Sequence, residues 1–373
     1  MPGITYTLLV NNAPASAEVL DAIQEIQIEN NGEMADVFRL RLAIGMSDSG
    51  DWTILEDDPF QPLIPLAIRV QLGTGLSEPL ISSYVTSQRV EISNLPGQSF
   101  LEVVGMDATV LMNLEEKVVA WPNMADSDIA TAIFGQYGFI PEVDQTQPVH
   151  QETEMTTIQR GTDIRFLRRL AERNGFECYL ENDPLLNSDT GHFHRPRLQG
   201  QAQGVLSVNF GADTNVTSFN ARYEMLRPTT AQASDVEISS KSVQNGQAQS
   251  VSNDNLGQEG LLDRITRQPL VLPGKTGLVS TGELQTLCQA VVDRSAWAII
   301  AEGELNTAVY EGILRAKRTV NVRGAGVLYS GTYYVSRVLH HFTGEGYTQR
   351  FELQRNAIGL TGTEVFIDTG ALV

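Results

Sequence analysis

The chain has 373 residues, of which 42% are hydrophobic and 19% are charged. This length exceeds one typical domain of about 100 to 200 residues, so two compact bodies are expected. The apolar content excludes a chain that is disordered throughout. The 26 basic and 45 acidic residues give a formal charge of -19, which argues against direct binding to DNA or RNA.

The sequence shows no targeting signal and only two cysteines, a pattern from which we expect synthesis in the cytoplasm. The first residues do not form a basic and apolar leader, and no apolar run approaches the roughly 18 residues of a spanning helix. Cys178 and Cys288 both lie in patterns typical of buried strand or helix. We therefore expect two reduced core thiols rather than a disulfide.

Short runs with alternating apolar residues dominate the first part of the chain, residues 4–113. Val37–Leu42 is one example, and alternation with period two indicates half-buried strands. Tyr84–Ile92 and Ser99–Val104 flank the turn sequence Asn94–Gly97, which predicts a hairpin. Many short strands with little helix favour a sandwich or a barrel.

The middle of the chain changes to helical spacing of its apolar residues. Each predicted helix has a candidate capping residue at its start. The three helices are Ala125–Tyr137 with Asp126 or Ser127 as cap, a segment from Thr162-Asp163 to Asn174-Gly175, and a segment opened by the capping box Ser280-Thr281-Gly282-Glu283.

The second half is read as strands separated by polar segments. We predict a polar loop at Glu181–Arg195 and an exposed loop or linker at Gln244–Gly257, because these stretches have few large apolar residues. The predicted strands are Phe176–Leu180, Gly204–Phe210, Val216–Tyr223, Val320–Val322, Tyr333–Val338 and Gln349–Leu353.

Four arginines of the second helix form a candidate anion site. Guanidinium groups suit phosphate or carboxylate as bidentate acceptors. A solvated face or a protein interface is the more common role of such a stripe, and we expect that role here. The residues are Arg165, Arg168, Arg169 and Arg173.

The histidine pairs are candidate metal ligands. His192-Phe193-His194, with Cys178 nearby in sequence, offers imidazole and thiolate ligands for zinc. Paired ligand spacing is missing, so an ordinary loop is favoured. His340 and His341 lie on a predicted strand, where adjacent side chains point to opposite faces and do not share a metal.

Motifs for enzymatic chemistry are missing from the sequence. It contains no Gly-x-Ser-x-Gly, no protease-type cysteine setting and no phosphate-binding glycine loop. The acidic run Leu55–Asp58 lacks the alternating ligands and the glycine of a calcium loop, so a solvated turn is expected. A pair of glycosidase carboxylates stays open, because spatial separation decides it. We assign no catalytic, cofactor-binding or metal residue, and we expect no cofactor.

The segment Thr162–Phe176, followed by Cys178-Tyr179, resembles the phage late control protein D family. That family includes T4-type baseplate hubs and the hub portion of VgrG proteins. Further segments support the resemblance in the same order along the chain: Asp126–Gly138, Ser330–Phe342, Gly346-Tyr347 and Phe351–Leu353.

The resemblance implies a mainly β protein with a few short helices and two tube-like β-barrel domains. Three subunits would form a pseudo-hexameric ring that joins a sixfold tube to a threefold spike. The implied domains are residues 1–113 for the first barrel, completed by 200–225; residues 114–199 for the helix-bearing part of the second barrel; residues 226–280 for a polar connection; residues 281–360 for the completion of the second barrel; and residues 361–373 for a tail.

The expected partners are two further copies of the chain, a separate spike protein, the inner tube protein and other baseplate proteins. A separate spike is expected because VgrG proteins continue into a further barrel and a β-helical spike, whereas this sequence stops at Val373. The expected role is structural rather than enzymatic, within a phage tail, a secretion apparatus or an extracellular injection particle. A tube initiator, a distal tail protein and a β-rich glycan hydrolase are the alternatives.

Overall fold

The computed structural model describes residues 4–48, 50–153, 156–183, 188–237, 241–274 and 280–366. Most of the regular structure in these ranges is strand, which confirms the mainly β prediction. The strands are β1 (Ile4–Val10), β2 (Ala13–Pro14), β3 (Ile23–Asn31), β4 (Val37–Ala43), β5 (Pro65–Leu72), β6 (Glu78–Glu91), β7 (Phe100–Met106), β8 (Lys117–Trp121), β9 (Ile140–Val143), β10 (Thr157–Gly161), β11 (Glu177–Asp183), β12 (Ser188–His194), β13 (Val205–Ser207), β14 (Val216–Tyr223), β15 (Thr230–Glu237), β16 (Ser242–Ala248), β17 (Glu259–Gly260), β18 (Leu270–Val271), β19 (Ile299–Leu305), β20 (Thr319–Arg323), β21 (Gly331–Thr343), β22 (Gly346–Arg355) and β23 (Ala357–Ile358).

The helices are short and lie mainly in the middle of the chain. They are α1 (Ala17–Ala22), α2 (Asp126–Gln136), α3 (Asp163–Asn174), α4 (Thr281–Ser295), α5 (Thr307–Tyr310) and α6 (Gly326–Tyr329), with 3-10 turns at Ala108–Asn113 and Gly211–Asp213. None of the helices within the described ranges has the length and apolar content needed to cross a membrane.

One large sheet runs through the molecule in the order β14-β19-β22-β21-β3-β4-β7-β6-β5-β1-β2, with β20 also paired to β21 and β13 to β20. The pairing of β3 with β21, which places Ile28 opposite His340, joins the two ends of the sequence. Smaller sheets are β8–β10, β11–β12–β9, β16–β15–β18 and β17–β23. The large sheet therefore has two halves that share one continuous hydrogen-bond ladder.

We call the half made of β1 and β3–β7 the first β unit. Its alternation places Phe38, Leu40 and Leu42 of β4 inside, each fully buried. The sheet curls around this core, because Tyr6 on β1 packs against Phe342 on β21 with ring centroids 6.0 Å apart. The strands β3, β4, β7, β6 and β5 stand between β21 and β1 in the ladder.

We call the half made of β13, β14 and β19–β22 the second β unit. Its core contains Val320, Tyr333, Val335, Phe351 and Leu353, all nearly or fully buried. Over the described residues, the ladder runs from β14 to β2 without closing. The structure therefore shows a curled, continuous sheet where the family resemblance implied two tube-like β-barrel domains, because the units join edge to edge through β3 and β21.

The helix-bearing unit consists of the sheet β9–β12–β11 covered on one face by α2 and α3. Phe134, Leu167 and Phe193 are fully buried in their shared core. Gly191 on β12 is required by a close approach, because a Cβ there would lie 2.5 Å from the Phe134 ring. The predicted helices are thus confirmed, and they pack on a sheet that the sequence did not fully reveal.

The structure corrects one predicted helix cap and confirms another. Ala125 occupies the cap position of α2, so the candidate caps Asp126 and Ser127 lie inside the helix. The capping box of α4 is confirmed, since Ser280 Oγ accepts from Glu283 N at 3.2 Å and the Glu283 carboxylate accepts from Ser280 N at 3.2 Å.

The prediction of a loop or linker at Gln244–Gly257 was wrong in its first part. Ser242–Ala248 is a strand that pairs with β15 along its length. This small sheet packs on α4 through small residues such as Ala233 and Ala248. A Cβ at Gly246 would lie 2.4 Å from the Leu284 backbone. The close approach leaves no room for large apolar side chains. The alternating apolar pattern that predicts a strand is therefore missing from this segment.

The polar loop predicted at Glu181–Arg195 was also wrong. β11 continues to Asp183, and Ser188–His194 forms its antiparallel partner β12. The apolar alternation is weak here because one face of this sheet carries ionisable side chains that are nevertheless covered by the protein. The domain boundaries stay a prediction.

Candidate functional site

The polar face of the sheet β9–β12–β11 gathers ionisable residues from three strands. Glu142 on β9 lies opposite His192 on the central strand β12. Tyr179 and Glu177 on β11 lie opposite His192 and His194. Because side chains alternate along a strand, these five residues share one face. The other face carries Phe193 and its neighbours into the core with α2 and α3.

Glu142, His192 and His194 form a compact cluster. One potential ligand atom from each residue lies within 4.8 Å of the other two. His192 Nδ1 is 3.0 Å from His194 Nε2 and 3.5 Å from Glu142 Oε2. Within the described ranges, this is the group of three such side chains that meets the spacing of a metal site.

Both imidazoles of the cluster are buried and held in place. His194 Nδ1 lies 2.7 Å from the backbone oxygen of Arg195, and Tyr179 stacks on His192 with ring centroids 4.5 Å apart. Burial lowers the pKa of His192 to about 4, with the neighbouring His194 adding to the effect. Burial also lowers the pKa of His194. Both rings are therefore neutral near pH 7, with lone pairs available.

The sequence reached only part of this cluster. It singled out His192, His194 and Cys178 as zinc ligands and favoured an ordinary loop. The structure separates Cys178 from the histidines, since Cys178 points into the apolar core, and supplies Glu142 instead. The alternation His-x-His was the available signal, but Glu142 becomes visible only through the parallel pairing of β9 with β12.

The same polar face meets the two β units at a junction. Tyr334 on β21 donates its hydroxyl to Glu177, at 2.7 and 2.8 Å from the two carboxylate oxygens. Lys317 lies over the Tyr179 ring at 4.6 Å and pairs with Asp36 at 3.1 Å. These contacts tie the helix-bearing unit to both β units.

Two carboxyl groups at this junction are strongly desolvated. Burial raises the pKa of Glu177 to about 7. Burial, assisted by the nearby Asp36 carboxylate, raises the pKa of Asp107 to about 6. Asp107 still accepts a hydrogen bond from Asp36 N at 2.8 Å. Hydrogen bonds therefore hold these carboxyl groups at the junction, although burial removes water that would solvate their charged forms.

The arginine stripe on α3 does not form a single clamp. Arg169 donates to the Arg160 backbone oxygen at 2.6 Å, and Arg173 pairs with Asp126 through Nε at 2.7 Å. Arg165 is exposed, 4.0 Å from a Glu116 carboxylate oxygen. Arg168 is half-buried, and its Nε and Nη2 have no hydrogen-bond partner among the described residues.

The other candidate residues are placed as follows. Both cysteines are buried, as predicted, and burial raises the pKa of Cys178 to about 12. His340 is buried and hydrogen-bonded to Tyr347, whereas His341 contacts Glu25 at 2.6 Å. Residues 56–58 lie exposed in a turn.

Two exposed surfaces carry apolar side chains. At the tip of the β6–β7 hairpin, Ile92 and Leu95 are 58% and 67% exposed. At the outer edge of the large sheet, β14 pairs only with β19 within the described part of the chain. Met225 and Leu226, which follow β14, are 62% and 74% exposed. A free strand edge and apolar tips are typical of surfaces that meet another chain.

Several solved structures that share this fold are phage tail proteins or components of a tail-like secretion system. The 43 kDa tail protein of prophage MuSo2 from Shewanella oneidensis matches with a TM-score of 0.66 and 14% identity over 95% of this chain and 99% of that one. A tail protein from Neisseria meningitidis MC58 matches with 0.63 and 11% over 96% and 98%. An E. coli component of the type VI secretion system, described as structurally similar to the T4 tail proteins gp27 and gp5, matches with 0.56 and 10% over 94% and 78%.

The chain therefore has the fold of phage tail proteins and of a tail-like secretion component. A family model described as the Alg8 N-terminal domain matches residues 2–344, and the chain belongs to that family. The matched family is not the late control protein D family, so the resemblance to late control protein D stays a prediction. No curated protein matches the sequence.

Proposed function

We propose that the protein is the structural hub of a tail-like particle, a trimeric adaptor that joins a sixfold inner tube to a threefold spike. The observation that carries the proposal is the division of one chain into two β units on a continuous sheet. Three such chains present six β units, which matches a sixfold ring on one side and keeps threefold symmetry on the other. This role requires no catalysis.

The comparisons support the proposal at the level of fold. The chain spans nearly the whole length of two tail proteins. The secretion component that it also matches is described by its similarity to two T4 tail proteins. Incorporation into a particle, with the tube, spike and other baseplate proteins as partners, follows from this proposal.

The exposed surfaces support contacts between copies of the chain. The one-sided edge of β14 leaves backbone groups available for another strand, and the β6–β7 tip presents apolar side chains. Both surfaces would be covered in a closed ring, which removes free sheet edges. We propose these two surfaces as the contacts between neighbouring subunits.

The test is the mass of the purified protein in solution by light scattering, alone and after mixing with its spike and tube proteins. Three chains of 40.9 kDa sum to about 123 kDa. We expect a trimer, either alone or on addition of the spike. Leu95→Asp should prevent assembly, whereas Leu76→Asp, at a side chain 90% exposed away from the tip, should not. A monomer indifferent to both partners would overturn the proposal.

A further inference from the structure

The hydrogen bonds of His194 fix where its proton lies. A backbone carbonyl only accepts, so the contact of 2.7 Å to Arg195 O places the proton on Nδ1. His194 Nε2 therefore presents a lone pair to the cluster. His192 Nδ1, 3.0 Å away, must donate to this lone pair when the neutral rings are alone.

That arrangement leaves one unfavourable contact. With its proton on Nδ1, neutral His192 turns the lone pair of Nε2 toward Glu181, whose carboxylate oxygen is 3.8 Å away. This contact is weakened, but not removed, because the Glu181 side chain is 45% exposed and pairs with Arg318 at 2.8 Å.

We propose that Glu142, His192 and His194 bind a divalent transition-metal ion of the zinc type. The ligand atoms are Glu142 Oε2, His192 Nδ1 and His194 Nε2. A proton on His192 then moves to Nε2, where it faces Glu181, and His194 keeps its proton on Nδ1 toward Arg195 O. Each ligating ring gains an acceptor behind it, as metal-bound histidines usually have.

The dimensions and chemistry suit zinc better than calcium or magnesium. Tetrahedral coordination with Zn–N distances of about 2.0–2.1 Å separates two nitrogens by roughly 3.3 Å. The observed 3.0 Å needs to widen only slightly. Two imidazoles and one carboxylate favour zinc-type ions, whereas calcium and magnesium prefer oxygen ligands. Water completes the coordination, because Glu142 reaches solvent with half of its side chain exposed.

The surrounding charges permit a cation at this point. Arg197 Nη2 contacts the other Glu142 oxygen, Oε1, at 3.5 Å, and Asp144 at 3.0 Å. Lys317 lies over Tyr179 on the same face. Arg318 pairs with Glu181 at 2.8 Å, and the carboxylates of Glu142, Asp144 and Glu181 offset these three cations. The ion would tie β9 to β12, and so its role is to stabilise the helix-bearing unit.

The test uses the full chain after dialysis against a chelator. Titration with Zn²⁺ by calorimetry should give one ion per chain, and Co²⁺ should give the visible absorption of tetrahedral coordination. Glu142→Gln, at a half-exposed side chain, should weaken binding at least tenfold. His194→Gln should do the same.

His341→Gln is the matched control, because His341 also contacts a glutamate but lies outside the cluster. It should leave the Zn²⁺ affinity unchanged, and Ca²⁺ should not compete. The proposal is overturned if Zn²⁺ does not bind, or if Glu142→Gln and His341→Gln bind it equally well. These outcomes do not depend on whether the protein trimerises, so they leave the hub proposal untouched.

Discussion

The first β unit and the helix-bearing unit bury their sheets in different ways. The first β unit excludes water mainly with apolar residues, such as Phe38, Leu40 and Leu42. The sheet β9–β12–β11 has one apolar face and one face of histidine, tyrosine and glutamate side chains. A largely buried sheet face can thus be built from hydrogen-bonded polar groups as well as from apolar side chains.

The largest effect is expected in the apolar unit. Phe38→Ala removes a fully buried ring and should lower the free energy of unfolding by about 3–5 kcal/mol, because a cavity remains. Urea unfolding followed by fluorescence or circular dichroism measures the change. Leu76→Ala, at a side chain 90% exposed, should cost less than about 0.5 kcal/mol. Equal small losses in both variants would contradict a close-packed first unit.

An intermediate effect is expected where the polar face meets β21. Tyr334→Phe removes the hydroxyl that donates to both oxygens of Glu177. At pH 8 this leaves a buried carboxylate without that donor, and should cost about 1–3 kcal/mol. The urea midpoint of each variant is the measurement. Tyr329→Phe serves as the control, and a loss no larger than its own would show that the junction does not depend on this hydrogen bond.

The pH dependence of stability should also differ between the two regions. The folded pKa of Glu177 is raised from 4.5 to about 7, so the folded state holds its proton more tightly than the unfolded state. Its contribution to stability is therefore greatest below about pH 4.5 and is lost as the pH rises through about 7.

Glu177→Gln should flatten this part of the profile, by at most about 1.4 kcal/mol per pH unit for one proton. Urea midpoints between pH 5 and 8 check the slope. A profile identical to that of the unaltered chain would mean that Glu177 is solvated, and that the polar face is not desolvated as described.

The smallest effect is expected at the N-terminal cap of α4, which depends only on neighbouring residues. Ser280→Ala removes the side chain that caps α4 and should cost about 1 kcal/mol. Ser280→Asp keeps an acceptor at the same place and should cost only a few tenths. Thermal unfolding distinguishes the two, and equal shifts would show that the capping box adds little to this helix.

The sequence predicted those parts of the fold that depend on neighbouring residues. The alternation of β4, the hairpin of β6 and β7, and the helices α2, α3 and α4 all follow from local periodicity and caps. The strands β12 and β16 were missed, because one carries a polar face and the other packs against a helix through Gly246 and alanines. Neither environment leaves an alternating apolar signal.

The candidate metal cluster was only partly predictable for a related reason. His192 and His194 are two residues apart, and their shared face follows from a strand. Glu142 joins them only through the parallel register of β9 with β12, which a single sequence does not define. The curled sheet likewise depends on the distant pairing of β3 with β21.

We propose above all that three copies of this chain form an adaptor between tube and spike. Electron cryomicroscopy of the assembled particle, with the chain carrying a small tag at a surface loop, tests it most directly. We expect a threefold ring of this chain between the sixfold tube and the spike, with six β units around the axis. A ring of six copies, or a position away from the tube–spike junction, would contradict it.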